Sequence, residues 1–395
     1  MASMWKRASG NGQRSLVYLT TSLETGGAET QLVNVAGELK TRGWDVSVIS
    51  LREPMSYQEE LAQSGVPVHY LSLSPGKPQL RAWTETASLL RKLRPSVLMA
   101  FMFHANVVAR TAGRLAGVPV TVSSIRSVTF GGARRDALLR STDWLGDITT
   151  TNSQLAAKEL VRRRVVPANR LRVIPNGLVP SRYQQPDSVR WEMRRRLGLG
   201  ESDFLFLAVG RVTEAKDYPS LLKAFSRFRD AHRVHLAIAG TGEGLPELRD
   251  VANRLRAADR VQFLGHCADV PQLLQAADAF VMSSAWEGLP NAMMEALAAG
   301  VPVVSTRVGG VAELVHPEVS GLLVPPGDPD ALGIAMEQLV GVPYDRRRAM
   351  GAAGRLHIEA NYGLPRVVDQ WEALYEEFLA FKCGFAGRAT VSQEA

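Results

Sequence analysis

Glu287 and Glu295 stand eight residues apart in EGLPNAMMEALAAG (287–300), a stretch where charge is costly. Pro290 suits the first position of a helix, because the N–H it lacks would be unpaired there anyway. Gly300 suits the end, with Pro302 beyond it forbidding continuation. Between them Ala292, Met293, Met294, Ala296, Leu297, Ala298 and Ala299 are apolar nearly all the way round, which predicts a buried helix. An ionised carboxylate in such surroundings costs several kcal/mol unless something pairs with it. At about 100° per residue, eight steps return to within about 80° of the start, so both acids can reach one small region. Carboxylates placed there can accept paired hydroxyl hydrogen bonds from a sugar or move protons. Glu295, the deeper, suits the vicinal hydroxyls of a ribose, and Glu287 suits a sugar near phosphates. The structural alternative pairs Glu295 with a buried arginine or a backbone cap.

Four glycine-bearing loops accompany the acids. AVGRVTEAKDYPSLLKAF (208–225) places Arg211 and Lys216 between a strand and a helix. Poorly solvated and side by side, the two cations would repel each other without an anion between them, and a diphosphate meets that need; two exposed surface charges are the plainer reading. AGTGEGLPELRDVA (239–252) supplies Gly240, Gly242 and Gly244 but lacks the lysine and Ser/Thr of a P-loop. It reads either as a backbone surface for a ring or ribose or as a flexible turn. LGHCADV (264–270), with His266, can offer backbone groups to a base edge. Nearer the N-terminus, SLETGGAETQ (22–31) carries Gly26 and Gly27 ahead of a helix whose positive end favours an anion or sugar hydroxyls, or forms a simple turn. His104 in FMFHANVVAR (101–110) follows a strand.

The elements that must hold these loops alternate between strand and helix. Short Val-, Ile- and Thr-rich runs at 15–21, 44–50, 66–72, 96–102, 118–124 and 147–151 read as strands. A second series follows at 204–210, 234–240, 260–265, 279–284 and 301–306. Helical patterns such as 28–43 and 83–94 fall between strands. Such alternation predicts an α/β fold of two doubly wound, Rossmann-like parallel-sheet domains, with ligands beyond the carboxyl ends of the strands. Those edges are expected to face one another across a cleft. The expected boundaries are a disordered lead-in at 1–13, a first domain at 14–185 and a second at 186–362. A helix at 363–382 returns towards the first domain, and the tail 383–395 is frayed. The proline-rich 175–188 reads as a hinge.

The composition is that of a soluble globular protein, 46% hydrophobic and 22% charged. No apolar run reaches a membrane span, and the opening MASMWKRASGNGQR has no apolar core of a secretory signal. Two distant cysteines, Cys267 and Cys383, suit a reduced cytoplasmic setting without structural zinc. The net charge of +7 is uneven: residues 1–185 hold 24 Lys and Arg against 12 Asp and Glu. Arg134, Arg135, Arg140 and the run Arg162–Arg164 contribute. No interleaved aromatics or binding motif point to nucleic acid; an anionic membrane surface, or merely a solvated basic face, fits better.

Taken in order, GGAE (26–29), PNGL (175–178), the Arg211/Lys216 segment, G-x-G-x-G and above all EGLPNAMME with its E-x7-E spacing resemble the retaining GT-B glycosyltransferases of family 4. The resemblance spans about residues 15–380. It implies a nucleoside-diphosphate sugar donor, foremost a UDP-sugar, held mainly by the second domain. It further implies that Arg211 and Lys216 hold the diphosphate and Glu295 the ribose. Glu287 faces the transferred sugar, with backbone at Gly288, Leu289 and Asn291 on sugar and phosphate. Gly240, Gly242 and His266 complete the donor set. Gly27 closes over the diphosphate, and His104 lies beside the donor sugar. Catalysis falls to Glu287, His104, Arg211 and Lys216, without metal or other cofactor, since no convincing D-x-D is present; Asp328-Pro-Asp330 reads as a helix start. The acceptor is a carbohydrate or lipid-linked saccharide met by the first domain, in polysaccharide or glycolipid synthesis. A sugar-nucleotide epimerase or hydrolase on the same fold, or a catalytically silent sugar-binding protein, are the alternatives.

Overall fold

The computed structural model describes residues 14–53, 56–71, 80–127 and 131–391. The expected lead-in therefore lies outside the described residues. The chain forms two units, Met1–Gly177 with Leu364–Ala395, and Leu178–Gly363. The division thus falls at Gly177/Leu178, ahead of the 185/186 boundary expected from composition. Within this segment Asn176 and Leu178 are buried, and Tyr183 lies against the apolar core of the second unit.

In the first unit the strands are β1 (Ser15–Thr20), β2 (Asp45–Ser50), β3 (Val68–Tyr70), β4 (Val97–Phe101), β5 (Val120–Ile125), β6 (Ile148–Thr151) and β7 (Leu171–Val173). They lie in the order β3-β2-β1-β4-β5-β6-β7. Every pairing is parallel. The second unit has β8 (Phe204–Val209), β9 (Val234–Ala239), β10 (Val261–Gly265), β11 (Ala279–Met282), β12 (Val303–Thr306) and β13 (Gly321–Val324), ordered β10-β9-β8-β11-β12-β13 and again all parallel. The sequence reading lacked only β7 and β13, both very short edge strands.

Strand alternation shows how the second sheet is covered. Leu205 and Leu207 enter one apolar cluster, while Phe204, Phe206 and Ala208 enter another on the opposite face. Both faces are buried, which is why these strands read as unbroken apolar runs. The order of each sheet reverses at one place, between β1 and β4 and between β8 and β11. Loops leaving neighbouring strands there head to opposite faces and open a crevice, the usual ligand position in such sheets.

The C-terminal helix, Leu364–Val391, belongs to the first unit and continues through positions where fraying was expected from 383. Trp371 and Tyr375 are buried, and Phe378 partly so. Arg42 Nη1 lies 2.6 Å from both Asp369 Oδ1 and Glu372 Oε2, and Trp44 Nε1 donates to Glu372 Oε1 at 2.8 Å. Among the described residues, no helix is long and apolar enough to cross a membrane.

Candidate donor site

The acid-bearing segment forms the helix Asn291–Ala298, with Pro290 as its N-cap, so the helix begins one position later than expected. At the other end Gly300 adopts φ +75°, and the amides of Gly300 and Val301 bond the carbonyls of Leu297 and Ala296. That is a Schellman ending, which a residue with a β-carbon would strain. Met293, Met294, Ala296, Leu297 and Ala298 are buried around it.

Glu295 keeps partial exposure on this apolar helix. Desolvation pushes its pKa up to about 7, against the opposing effects of a hydrogen bond from the Tyr183 hydroxyl and the charge of Lys216. Its partner is thus a phenol from the turn Pro180–Tyr183, not the buried arginine or backbone cap of the structural alternative. Sequence reasoning missed Tyr183, which stands 112 positions earlier and shows no periodic relation to the acid.

Glu287 lies in the loop after β11. Its Oε1 accepts from Lys216 Nζ at 2.6 Å and from Ser284 Oγ at 2.8 Å. Lys216 ends the short 3-10 turn Glu214–Lys216, just after β8. Two further bonds tie the loops: Ser283 Oγ donates to the Lys216 carbonyl at 2.7 Å, and the Ala285 amide to the Ala215 carbonyl at 2.8 Å. These loops flank the β8/β11 reversal. Lys216 is consequently the common neighbour of both acids, in contact with Glu287 and electrostatically coupled to Glu295.

One expectation needs correction. Arg211 and Lys216 do not face each other as an unrelieved pair of cations. Lys216 already has Glu287 as counter-ion, while Arg211 is exposed and, among the described residues, forms no ion pair. Exposure to water removes the repulsion that was argued to demand an anion.

The glycines acquire a packing reason. A β-carbon on Gly240 would lie 1.9 Å from the Gly210 carbonyl oxygen, and one on Gly242 would lie 2.1 Å from that of Val212. Loop 240–242 is pressed against the loop carrying Arg211, so close backbone approach, not a flexible turn, selects glycine. Gly309, which sequence reasoning passed over, does the same beneath the acids: a β-carbon there would meet the Glu287 carbonyl oxygen at 2.2 Å. The Gly310 amide also donates to the Gly288 carbonyl at 2.6 Å. Leu289 is a core residue, so only its backbone can meet a ligand. Gly288 is buried, Asn291 opens the helix half-buried, and His266 is exposed at the carboxyl end of β10. Asp328 caps the helix Pro329–Gly341, accepting from the Ala331 amide at 2.9 Å.

Gly27 and His104 belong to the first unit. Gly27 opens the helix Gly27–Thr41 after β1, and His104 lies in the first turn of Phe103–Ala116 after β4, both exposed at that sheet's own reversal. Desolvation first, then Arg135 and Arg52, lower the His104 pKa and favour the neutral imidazole.

Comparison with known proteins agrees with this architecture. Residues 189–357 match the family model described as glycosyl transferases group 1, and residues 25–182 match that of glycosyltransferase family 4. An uncharacterized glycosyltransferase of Methanocaldococcus jannaschii is 32% identical over 180 residues, 44% of this chain and 46% of that one, so the match spans about half its length. The GDP-mannose-dependent alpha-(1-6)-phosphatidylinositol monomannoside mannosyltransferase of Mycobacterium tuberculosis is 30% identical over 318 residues, 76% of this chain and 75% of that one. The crystal structure of Anabaena HepE in complex with UDP-glucose superposes with a TM-score of 0.82 at 23% identity, covering 92% of this chain and 99% of that one. The chain belongs to the group 1, family 4 glycosyltransferases and has their GT-B fold of two Rossmann-like units.

Proposed function

We propose that the chain transfers a sugar, with retention and without a metal, from a nucleoside-diphosphate sugar to a carbohydrate or lipid-linked acceptor. The observation that carries this reading is the meeting of Lys216, Glu287 and Glu295 at the β8/β11 reversal. In it, Glu295 accepts the ribose hydroxyls, and Lys216 and Arg211 hold the diphosphate. Charge develops on the departing phosphates during transfer, where fixed cations and helix N-termini stabilise it most. A donor phosphate near Lys216 takes over part of the role Glu287 plays in the free protein, leaving that carboxylate to receive sugar hydroxyls.

A UDP-sugar is the first candidate donor; HepE was solved with UDP-glucose, whereas the mycobacterial relative is named for GDP-mannose. A thermal-shift screen against UDP-, GDP- and ADP-sugars tests the reading. One base class is expected to raise the unfolding temperature, and equal or absent shifts for all three count against it.

The acceptor end of the proposal includes peripheral association with the inner face of a membrane. The basic surface is weaker than the residue count implies. Arg162 pairs with Glu159, Arg163 pairs with Asp136, and Arg140 bonds the carbonyls of Arg163 and Arg164. Arg134 remains exposed, as does Trp144 at 70%. Cosedimentation with neutral and anionic vesicles decides: preference for anionic vesicles supports association, equal binding opposes it.

A further inference from the structure

The segment LVPSRYQ (178–184) makes one turn and delivers a phenol to the acid helix. Pro180 opens the 3-10 turn Pro180–Tyr183, where its fixed φ suits a first helical position. Bonds on both sides fasten the turn to the helix Tyr344–Tyr362. The Leu178 amide donates to the Tyr362 carbonyl at 3.0 Å, and Gln184 Nε2 donates to Glu359 Oε1 at 2.9 Å. Tyr183 itself packs on the cluster that contains Met293, Met294 and Leu297 of the acid helix. A ring held in this way offers its hydroxyl to Glu295 from a fixed direction.

The surroundings of Glu295 leave few other groups to act on it. Strands β11 and β12, packed against the acid helix, carry no ionisable side chain. On the helix Tyr344–Tyr362, Arg355 Nη2 donates to the Ala299 carbonyl at 3.1 Å. The Tyr362 hydroxyl and His357 Nε2 both donate to the Glu313 carbonyl, at 3.1 and 2.9 Å. Arg182 of the turn is exposed. Lys216 is the cation that acts on the carboxylate, and Tyr183 is the neutral donor.

These two supports respond differently to a diphosphate. Lys216 has a single ammonium, bonded to Glu287 in the free protein and also called on by the donor phosphates. Phosphate charge beside it cancels part of its attraction for Glu295. A phenol carries no charge, and its hydrogen bond is not shared with the phosphates. The need for such a bond is set by the apolar helix, which drives Glu295 towards its protonated form. A protonated carboxyl gives up acceptor capacity that two ribose hydroxyls require, whereas an ionised one with one phenol bound keeps acceptor sites open.

We propose that Tyr183 is a positioning residue for the donor: its hydroxyl orients the Glu295 carboxylate and keeps it ionised, so that ribose hydroxyls bind at neutral pH. This rests on the donor reading and adds the group that maintains its ribose acceptor. The test titrates UDP, GDP and ADP by calorimetry into wild type, Tyr183→Phe and Glu295→Gln from about pH 5.5 to about pH 9, with urea unfolding of each protein over the same range. Phenylalanine keeps the packing ring and removes only the donor. Comparison with Glu295→Gln cancels titration of the phosphates themselves.

Wild-type affinity is expected to fall as pH drops through about 7, where Glu295 gains its proton. In Tyr183→Phe the fall should begin about one pH unit higher, a loss of about tenfold on the acidic side that disappears near pH 9. The unfolding profile should shift upward with it, since the proton on Glu295 is then retained to higher pH. A loss of affinity equal at every pH, or a binding or unfolding midpoint unchanged in Tyr183→Phe, overturns the proposal, while binding that still depends on Glu295 upholds the donor reading. Failure of wild type to bind any of the three nucleotides overturns both.

Discussion

Lys216 Nζ lies 2.6 Å from Glu287 Oε1, joining the loop after β8 to the loop after β11 by an ion pair whose side chains are 19% and 15% exposed. At such partial burial, removing one partner leaves a poorly solvated charge, which is worse than removing both. Lys216→Met is expected to destabilise the protein by about 1–3 kcal/mol, and Lys216→Met/Glu287→Gln by less than the sum of the single changes. Urea unfolding of the four proteins measures the coupling; strict additivity would show that the pair is incidental.

Glu295 gives a pH signature. Its folded pKa of about 7 exceeds the ordinary glutamate value of 4.5, so between these values the native state keeps a proton that the unfolded chain has lost. Its contribution to stability is complete below pH 4.5 and lost as pH rises through 7. Relative to Glu295→Gln, wild type should lose about 1–3 kcal/mol across this interval. Unfolding free energies at several pH values check this, and a constant difference between the proteins would contradict it.

The glycine arguments separate by position. Gly240→Ala and Gly242→Ala force a β-carbon into backbone oxygens and should each cost about 3 kcal/mol or more. Gly244→Ala comes no nearer than 3.4 Å to any neighbour, a Val212 methyl, and should be tolerated. Thermal melts of the three variants distinguish packing from loop flexibility, since flexibility alone predicts similar small effects.

Trp371→Ala should destabilise the first unit by about 3–5 kcal/mol, because the side chain is only 2% exposed. Denaturation followed by circular dichroism reads it; a negligible change would mean that the C-terminal helix adds little to the unit it packs on.

Much of this organisation was legible because parallel strands buried on both faces read as apolar runs, and because two carboxylates in a Met- and Ala-rich helix demanded explanation. Lys216 was legible for the same reason, as a cation at a strand's carboxyl end. What sequence could not show were partners created by folding. Tyr183 sits in a proline-rich stretch that suggested a hinge, and its hydroxyl meets Glu295 only in three dimensions. Gly309 matters through the Glu287 carbonyl it passes. Edge strands β7 and β13 were too short to carry a pattern.

Calorimetric titration of UDP, GDP and ADP into wild type and Glu295→Gln at pH 8 tests the donor site most directly. The account predicts one-to-one binding of one nucleoside diphosphate, weakened about tenfold in the variant, as expected when a charged acceptor of ribose hydroxyls becomes neutral. No binding of any of the three, or equal binding by both proteins, would contradict it.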